Sequence, residues 1–139
     1  MFTSVEMLNK NCKDYLPSLK KCLDEYLKSY EFANDVYYFN IIEELKIQHY
    51  KKNDCYFKYH FENSGTVSTI KRHLVFMTYL NTVTDQGETE WFYQNLKVRP
   101  EKGLTVIWSA DWYFTHRGIP SPTQTKYIVT GWYSYLSDQ

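Results

Sequence analysis

RHLVFMTYLNTVTDQGETEWFYQNLKV, residues 72–98, holds two runs of strand-forming residues on either side of a turn-like stretch. The runs RHLVFMTYL and EWFYQNLKV are rich in β-branched and aromatic side chains, which favour strands. The stretch TVTDQGE between them contains Asp and Gly, which favour turns. The pattern predicts two β-strands joined by a loop.

The same alternation continues on both sides of this segment. Turn-like stretches (KKND, ENSGTVST, RPEKG and RGIPSPTQT) separate four more strand-forming runs: LKIQHY from Leu45, YFKYHFE, LTVIWSA and KYIVTGWYSYL. Many short strands at fairly even spacing are typical of a mainly β sandwich or a barrel-like jelly roll. Strands and helices do not alternate along the chain, which excludes Rossmann-type and TIM-type folds.

The N-terminal part of the chain differs in character. In residues 14–30, DYLPSLKKCLDEYLKSY, apolar side chains recur every three or four positions and predict an amphipathic helix. Residues 36–44 are ambiguous between helix and strand, and we favour a second short helix. We therefore predict a single domain over residues 1–139, with a mostly helical flank at 1–44 and a β core at 45–136.

Composition narrows the class of protein further. Lys and Arg total 16, as do Asp and Glu, which argues against a nucleic-acid-binding footprint or a polybasic membrane patch. No apolar run is long enough to cross a bilayer, so we expect no membrane partner. The sequence has three cysteines, an odd number, and no CxxC pair. This pattern is typical of reduced thiols and predicts a cytoplasmic protein.

One short motif suggests metal chemistry. In YHFEN, His60 and Glu62 stand two residues apart, so a regular strand would place both on one face. Together they offer a neutral nitrogen and an anionic oxygen, and a distant histidine could complete a 2-His-1-carboxylate set, which leaves open positions on Fe(II). By itself the pair is a weak signal, because such pairs are common by chance.

Several motifs in order make residues 45–136 resemble the prolyl-4-hydroxylase-like branch of the iron(II)/2-oxoglutarate-dependent dioxygenases. The segments that carry the resemblance are IQHYKKNDCYFKYHFE, RHLVFMTYLN, DQGETEWF, VRPEKGLTVIWSADWYFTHRG and KYIVTGW. In the third, Gln86 stands where the family has the first of two glycines. The resemblance implies a double-stranded β-helix, a jelly-roll or cupin-like fold, with N-terminal flanking helices.

The resemblance also implies roles for individual residues. The iron ligands, which form the catalytic centre, correspond to His60, Glu62 and His116, and the family more often has Asp at the second position. Lys126 corresponds to the basic residue that pairs with the distal carboxylate of 2-oxoglutarate. The other residues expected to bind this co-substrate are Tyr50, Tyr79 and Trp132.

Strand period supports the position of the lysine. Lys126, Ile128, Thr130 and Trp132 share one face of a regular strand. A lysine can begin a buried strand if a ligand carboxylate pairs with it. Arg72 lies seven residues before Tyr79, which is expected to bind the co-substrate, and it could face a polypeptide substrate.

The activity implied is hydroxylation of an unactivated C–H bond, with Fe(II), 2-oxoglutarate and dioxygen as reactants and ascorbate as an optional reductant. We favour a prolyl residue in a peptide or protein as the substrate. One alternative keeps the chemistry but acts on a free amino acid, a small metabolite or an alkylated base, although the balanced charge weighs against nucleic acid. The other is a non-catalytic jelly-roll binding module.

Overall fold

A computed structural model describes residues 14–137 together with a strand at Phe2–Thr3. The one α-helix in this part of the chain, α1, runs from Tyr15 to Ser29, which confirms the helix predicted at 14–30. A short 310 turn follows at Glu31–Asn34. None of the described helices is both long and apolar enough to cross a membrane.

The remainder is mainly β and forms two antiparallel sheets. The strands are β1 Phe2–Thr3, β2 Phe39–Asn40, β3 Leu45–Tyr50, β4 Arg72–Tyr79, β5 Thr89–Trp91, β6 Leu96–Val98, β7 Thr105–Ser109, β8 His116–Gly118 and β9 Lys126–Tyr135. The larger sheet has the order β1-β3-β9-β4-β7, with β2 also paired to β9, and the smaller has the order β6-β5-β8. This jelly-roll architecture confirms the predicted fold class.

Strands β4 and β9 bury both of their faces. On one face, Leu74 of β4 and Val129 of β9 pack with Leu19 and Leu23 of α1. On the other face, the buried cluster contains Val75, Met77, Ile128 and Trp132 together with Trp91 and Trp108. The helix therefore covers one side of the larger sheet, and the opposite side is left to line the interior between the sheets.

Gly131 shows how tightly the helix side is packed. A Cβ atom added at this position would lie 2.5 Å from Cζ of Phe76 and 2.6 Å from Cδ2 of Leu45. Both distances are shorter than real Cβ contacts, so a larger residue here would force β9 or these two side chains to shift.

Three local predictions are wrong. The second helix expected at 36–44 is absent, and Phe39–Asn40 instead form β2, paired with Tyr135 and Ser134 of β9. The run YFKYHFE is not a regular strand and contributes only an isolated bridge between His60 and His116. The run at 90–98 is not one strand, because it turns at 92–95 and continues the hairpin as β6.

Candidate metal centre and active-site cavity

Backbone hydrogen bonds bring His116 beside His60 and Glu62, which lie much earlier in the sequence. The His60 amide donates to the His116 carbonyl (3.0 Å), and the His116 amide donates to the His60 carbonyl (2.9 Å). Two residues further on, the Glu62 amide donates to the Ala110 carbonyl (3.1 Å). This short irregular pairing replaces the predicted strand and still places His60, Glu62 and His116 side by side.

The side chains of these residues converge on one oxygen. Nε2 of His60 and Nε2 of His116 each lie 3.2 Å from Oε1 of Glu62. Three ligand atoms, one from each residue, lie within 4.8 Å of one another, a spacing that could hold a metal ion. Two imidazoles and one carboxylate are the donor set that suits non-haem Fe(II).

Both imidazoles are oriented by their other nitrogen. Nδ1 of His60 lies 2.8 Å from the carbonyl of Lys58, and Nδ1 of His116 lies 2.8 Å from the carbonyl of Phe114. Because a carbonyl can only accept, each Nδ1 carries a hydrogen in these contacts. In the neutral rings the Nε2 lone pairs are then available to a metal, an arrangement that recurs in metal-binding histidines.

The pKa values of Glu62 and His60 reflect the burial of these residues and the contact between them. Burial by itself favours the protonated form of Glu62, but in the metal-free protein the contacts with Nε2 of His116 and Nε2 of His60 outweigh it and hold the pKa of Glu62 well below its usual range. Burial opposes a charge on His60, and contact with Glu62 outweighs that effect and raises the pKa of His60. The acid is therefore an anion at neutral pH.

The three residues lie in the wall of a cavity of about 200 Å³, several times the ~30 Å³ that one water occupies in the liquid. The cavity is lined by β3, β4, β7 and β9 of the larger sheet and by β5 and β8 of the smaller sheet. Lys126, Ile128, Thr130 and Trp132 all contribute to it, as the period of β9 predicts.

Lys126 is a buried cation with few partners. Its side chain is only 5% exposed, and Nζ donates to the carbonyl of Gly87 (2.9 Å) and lies 5.3 Å from the ring centroid of Tyr50. No carboxylate among the described residues forms an ion pair with it. Burial lowers the pKa of Lys126, and Cys55 and Glu88 offset part of this effect. A buried ammonium in this state favours an anionic ligand.

Comparison with known proteins identifies the family of this chain. The sequence profile of the 2OG-Fe(II) oxygenase superfamily matches residues 45–134. The chain belongs to this superfamily. Its members use Fe(II) and 2-oxoglutarate, which agrees with the cofactors inferred from the sequence. No curated protein matches the chain significantly.

Solved structures with the oxygenase fold include several prolyl hydroxylases. A viral collagen prolyl hydroxylase of Paramecium bursaria Chlorella virus 1, crystallised with 2OG, has a TM-score of 0.70 and 21% identity, over 86% of this chain and 72% of the other. A prolyl 4-hydroxylase of Phytophthora capsici has a TM-score of 0.58 and 30% identity, over 66% of this chain and 32% of the other. A prolyl hydroxylase of Trichoplax adhaerens, in complex with a hypoxia-inducible-factor peptide fragment, has a TM-score of 0.61 and 19% identity, over 74% and 50%.

The residues of this oxygenase fit the two cofactors of its superfamily. The His–Glu–His cluster offers the nitrogen and oxygen donors of a non-haem Fe(II) site. Across the same cavity, Lys126 is a buried cation that a carboxylate of 2-oxoglutarate could neutralise.

The other residues predicted to bind the co-substrate occupy different positions. Tyr50 lines the cavity and donates its hydroxyl hydrogen to Oε1 of Gln48 (2.7 Å). Tyr79 is fully buried outside the cavity lining; its hydroxyl lies 2.7 Å from Oγ1 of Thr89, and Thr89 does line the cavity. Trp132 lines the cavity, but its indole N–H donates to Glu62 and not into open space.

Arg72 contacts the centre in a way the sequence did not predict, and it is held there by Glu43, which the sequence did not single out. Arg72, which we expected to face a polypeptide substrate, stacks on Trp132 and donates to the backbone carbonyl of Glu62. Its guanidinium is held in turn by Glu43, 29 residues away in sequence, so no local pattern links the two.

Proposed function

We propose that this protein hydroxylates a prolyl residue in a peptide or protein, using Fe(II), 2-oxoglutarate and dioxygen. The observation that carries the proposal is the placement of His60, Glu62 and His116 in the wall of one cavity with Lys126. Fe(II) and 2-oxoglutarate, when bound, supply the chemistry that puts one oxygen atom of dioxygen into a C–H bond and the other into succinate, with release of carbon dioxide.

In this proposal the three clustered residues hold the metal. Nε2 of His60 and Nε2 of His116 offer neutral nitrogen donors because both Nδ1 atoms are committed to backbone carbonyls. Oε1 of Glu62 supplies one negative charge. Three protein ligands leave further positions on Fe(II) for the co-substrate and dioxygen.

Lys126 in this proposal binds the distal carboxylate of 2-oxoglutarate. The carboxylate would give the buried ammonium the anionic partner that the described residues do not provide. Tyr50 borders the same region with its ring near Nζ. Apolar side chains of the cavity wall, among them Met77 and Ile128, keep water away from the pair and so strengthen it.

Exposed aromatic side chains beside the cavity favour a peptide substrate. Tyr56 lines the cavity, is half exposed and packs against the His60 ring at 4.4 Å. Arg117 also lines it and stacks on Tyr59, which in turn contacts the exposed Phe92. Aromatic-lined surfaces suit proline-rich segments, which are preformed in an extended left-handed helix. The names of the similar solved structures point to the same substrate class.

We further propose the cytoplasm as the compartment, because Cys22 and Cys55 are free thiols. Cys12, on which the sequence prediction also relied, lies outside the described residues.

The test measures succinate release and product mass on the same samples. Protein loaded anaerobically with Fe(II) is mixed with 2-oxoglutarate and then with air, with and without ascorbate. The substrates are proline-rich peptides, the same peptides with alanine for proline, free amino acids and an alkylated nucleobase. We expect succinate and a gain of one oxygen only with the proline-containing peptides.

The matched control is His116→Ala, which removes one proposed metal ligand and should abolish both signals while circular dichroism stays unchanged. Turnover of another substrate class with no peptide oxidation would contradict the prolyl assignment alone. A parent protein that binds 2-oxoglutarate but never converts it would support the non-catalytic alternative.

A further inference from the structure

The second oxygen of Glu62 is held by contacts that the proposed metal site does not use. While Oε1 faces the two histidines, Oε2 accepts a hydrogen bond from Nε1 of Trp132 at 3.1 Å. Nη1 of Arg72 lies 3.9 Å from the same oxygen and donates to the backbone carbonyl of Glu62 at 3.1 Å. Both ends of the acidic residue are therefore restrained.

Arg72 and Trp132 restrain each other as well. The guanidinium carbon of Arg72 lies 3.7 Å from the ring centroid of Trp132, close enough for stacking. On its other edge, Arg72 forms a bidentate pair with Glu43, with Nε and Nη2 at 2.9 and 2.8 Å from the two carboxylate oxygens. The chain of contacts thus runs from Glu43 through Arg72 and Trp132 to Oε2 of Glu62.

We propose that Trp132 and Arg72 are positioning residues that orient the Glu62 carboxylate so that Oε1 alone faces the metal. This inference rests on the function proposed above. A glutamate has one more rotatable bond than an aspartate, so its carboxylate needs more restraint to occupy one position. The N–H from Trp132 fixes the rotation of the carboxylate, and Arg72 fixes both the indole and the backbone at Glu62.

This role differs from the one expected from the sequence. There Trp132 was predicted to contact 2-oxoglutarate, in which case its loss would weaken binding of the co-substrate and leave the metal unaffected. If Trp132 instead acts through Glu62, its loss weakens metal binding first. The two roles therefore predict different affinities to change.

The test uses Trp132→Phe with Trp91→Phe as its matched control. Phenylalanine keeps an aromatic ring but lacks the indole N–H. Trp91 is also buried near His116, yet its N–H has no hydrogen-bond partner in the described part of the chain and it does not line the cavity. The second test variant is Arg72→Lys, which keeps the positive charge but cannot hold Glu43 and Glu62 with one planar group.

Mn²⁺ affinity is measured from the free-ion signal in electron paramagnetic resonance, and the Co²⁺-loaded proteins are compared by visible absorption. Loss of a residue that orients a metal ligand typically raises the metal Kd by about 10- to 100-fold, so we expect that range for Trp132→Phe and Arg72→Lys. The Co²⁺ spectrum should also change in both variants. Trp91→Phe should keep the parent Kd within about threefold, well below that range, and the parent spectrum.

Parent-like Mn²⁺ affinity and Co²⁺ spectra in both Trp132→Phe and Arg72→Lys would overturn the inference. So would a Trp132→Phe protein whose 2-oxoglutarate affinity falls while its Mn²⁺ affinity does not, because that result assigns Trp132 to the co-substrate. Failure of the proposed function would look different: a wrong metal and co-substrate site would leave the parent protein itself unable to bind Mn²⁺ and 2-oxoglutarate, and a wrong substrate class would leave the Mn²⁺ affinities of all variants as expected here.

Discussion

Replacing Lys126 by methionine should weaken 2-oxoglutarate binding and leave metal binding intact. The lysine is 5% exposed and donates one hydrogen bond, to the carbonyl of Gly87. Methionine has a similar length and is apolar, so it fills the same part of the cavity wall without the charge. The substitution therefore isolates the contribution of the ammonium group.

The expected size follows from the burial of the pair. Removing one partner of a desolvated, hydrogen-bonded charge pair costs on the order of 2–5 kcal/mol of binding. This corresponds to a rise in Kd of roughly 30- to 5000-fold. Lys126→Arg keeps the charge but changes the shape and donor geometry, so its loss should be smaller.

Without ligand, the same substitution should not destabilise the folded protein. Burial lowers the pKa of Lys126, so the protonated side chain destabilises the folded state at neutral pH, and this cost is lifted as pH rises from the lowered pKa toward about 10.4. Methionine has no charge to bury. We expect the ligand-free Lys126→Met protein to be at least as stable as the parent, despite the lost bond to Gly87.

The assay is calorimetric titration of 2-oxoglutarate into Mn²⁺-loaded protein without oxygen, together with thermal unfolding of the ligand-free form. Lys28→Met, an exposed lysine of α1 that does not line the cavity, is the matched control and should behave as the parent. A Lys126→Met protein that binds 2-oxoglutarate within about threefold of the parent would refute the reasoning, because that lies well under the range for a buried pair.

Three other outcomes are expected. Glu62→Asp should keep metal binding but raise the Mn²⁺ Kd on the order of tenfold, because the shorter side chain draws the carboxylate away from Trp132 and Arg72. An unchanged Mn²⁺ Kd would show that these two contacts do not affect metal binding. Gly131→Ala should destabilise the fold by about 1–3 kcal/mol, because the new Cβ meets the Phe76 ring, and a parent-like Tm would show that β9 can shift freely. Burial lowers the pKa of His73 despite a hydrogen bond to the Ala33 carbonyl, so its contribution to stability is lost as pH falls below about 6.5. The Tm difference between the parent and His73→Gln should therefore narrow from about pH 7.5 to about pH 5.5, and a constant difference would contradict the lowered pKa.

The central strands were predictable because their patterns are strong. In β4 and β9 most residues are aliphatic, β-branched or aromatic, and such runs suit strands buried on both faces. Residues 36–44 offered no clear period, and the strand at Phe39–Asn40 exists only because the end of β9 pairs with it. At 90–98 the aromatic run hid a turn at Asn95, where the backbone has a φ of 48°.

The sequence named the three residues that the structure brings together, His60, Glu62 and His116, but not the contacts that hold them. His60 and Glu62 form a local pair, whereas His116 was found through the ordered family motifs that surround it. The restraint on Glu62 depends on Glu43 and Arg72, which only the fold brings together. Long-range contacts of this kind leave no periodic signal, so the sequence placed Trp132 on the inward face but did not predict its hydrogen bond to Glu62.

A crystal structure of the protein grown without oxygen in Mn²⁺ and 2-oxoglutarate tests the central claim most directly. We predict metal density bounded by Nε2 of His60, Oε1 of Glu62 and Nε2 of His116, with the distal carboxylate of 2-oxoglutarate on Nζ of Lys126. Metal bound elsewhere, or a distal carboxylate that pairs with Arg117 and leaves Lys126 without an anionic partner, would contradict the account.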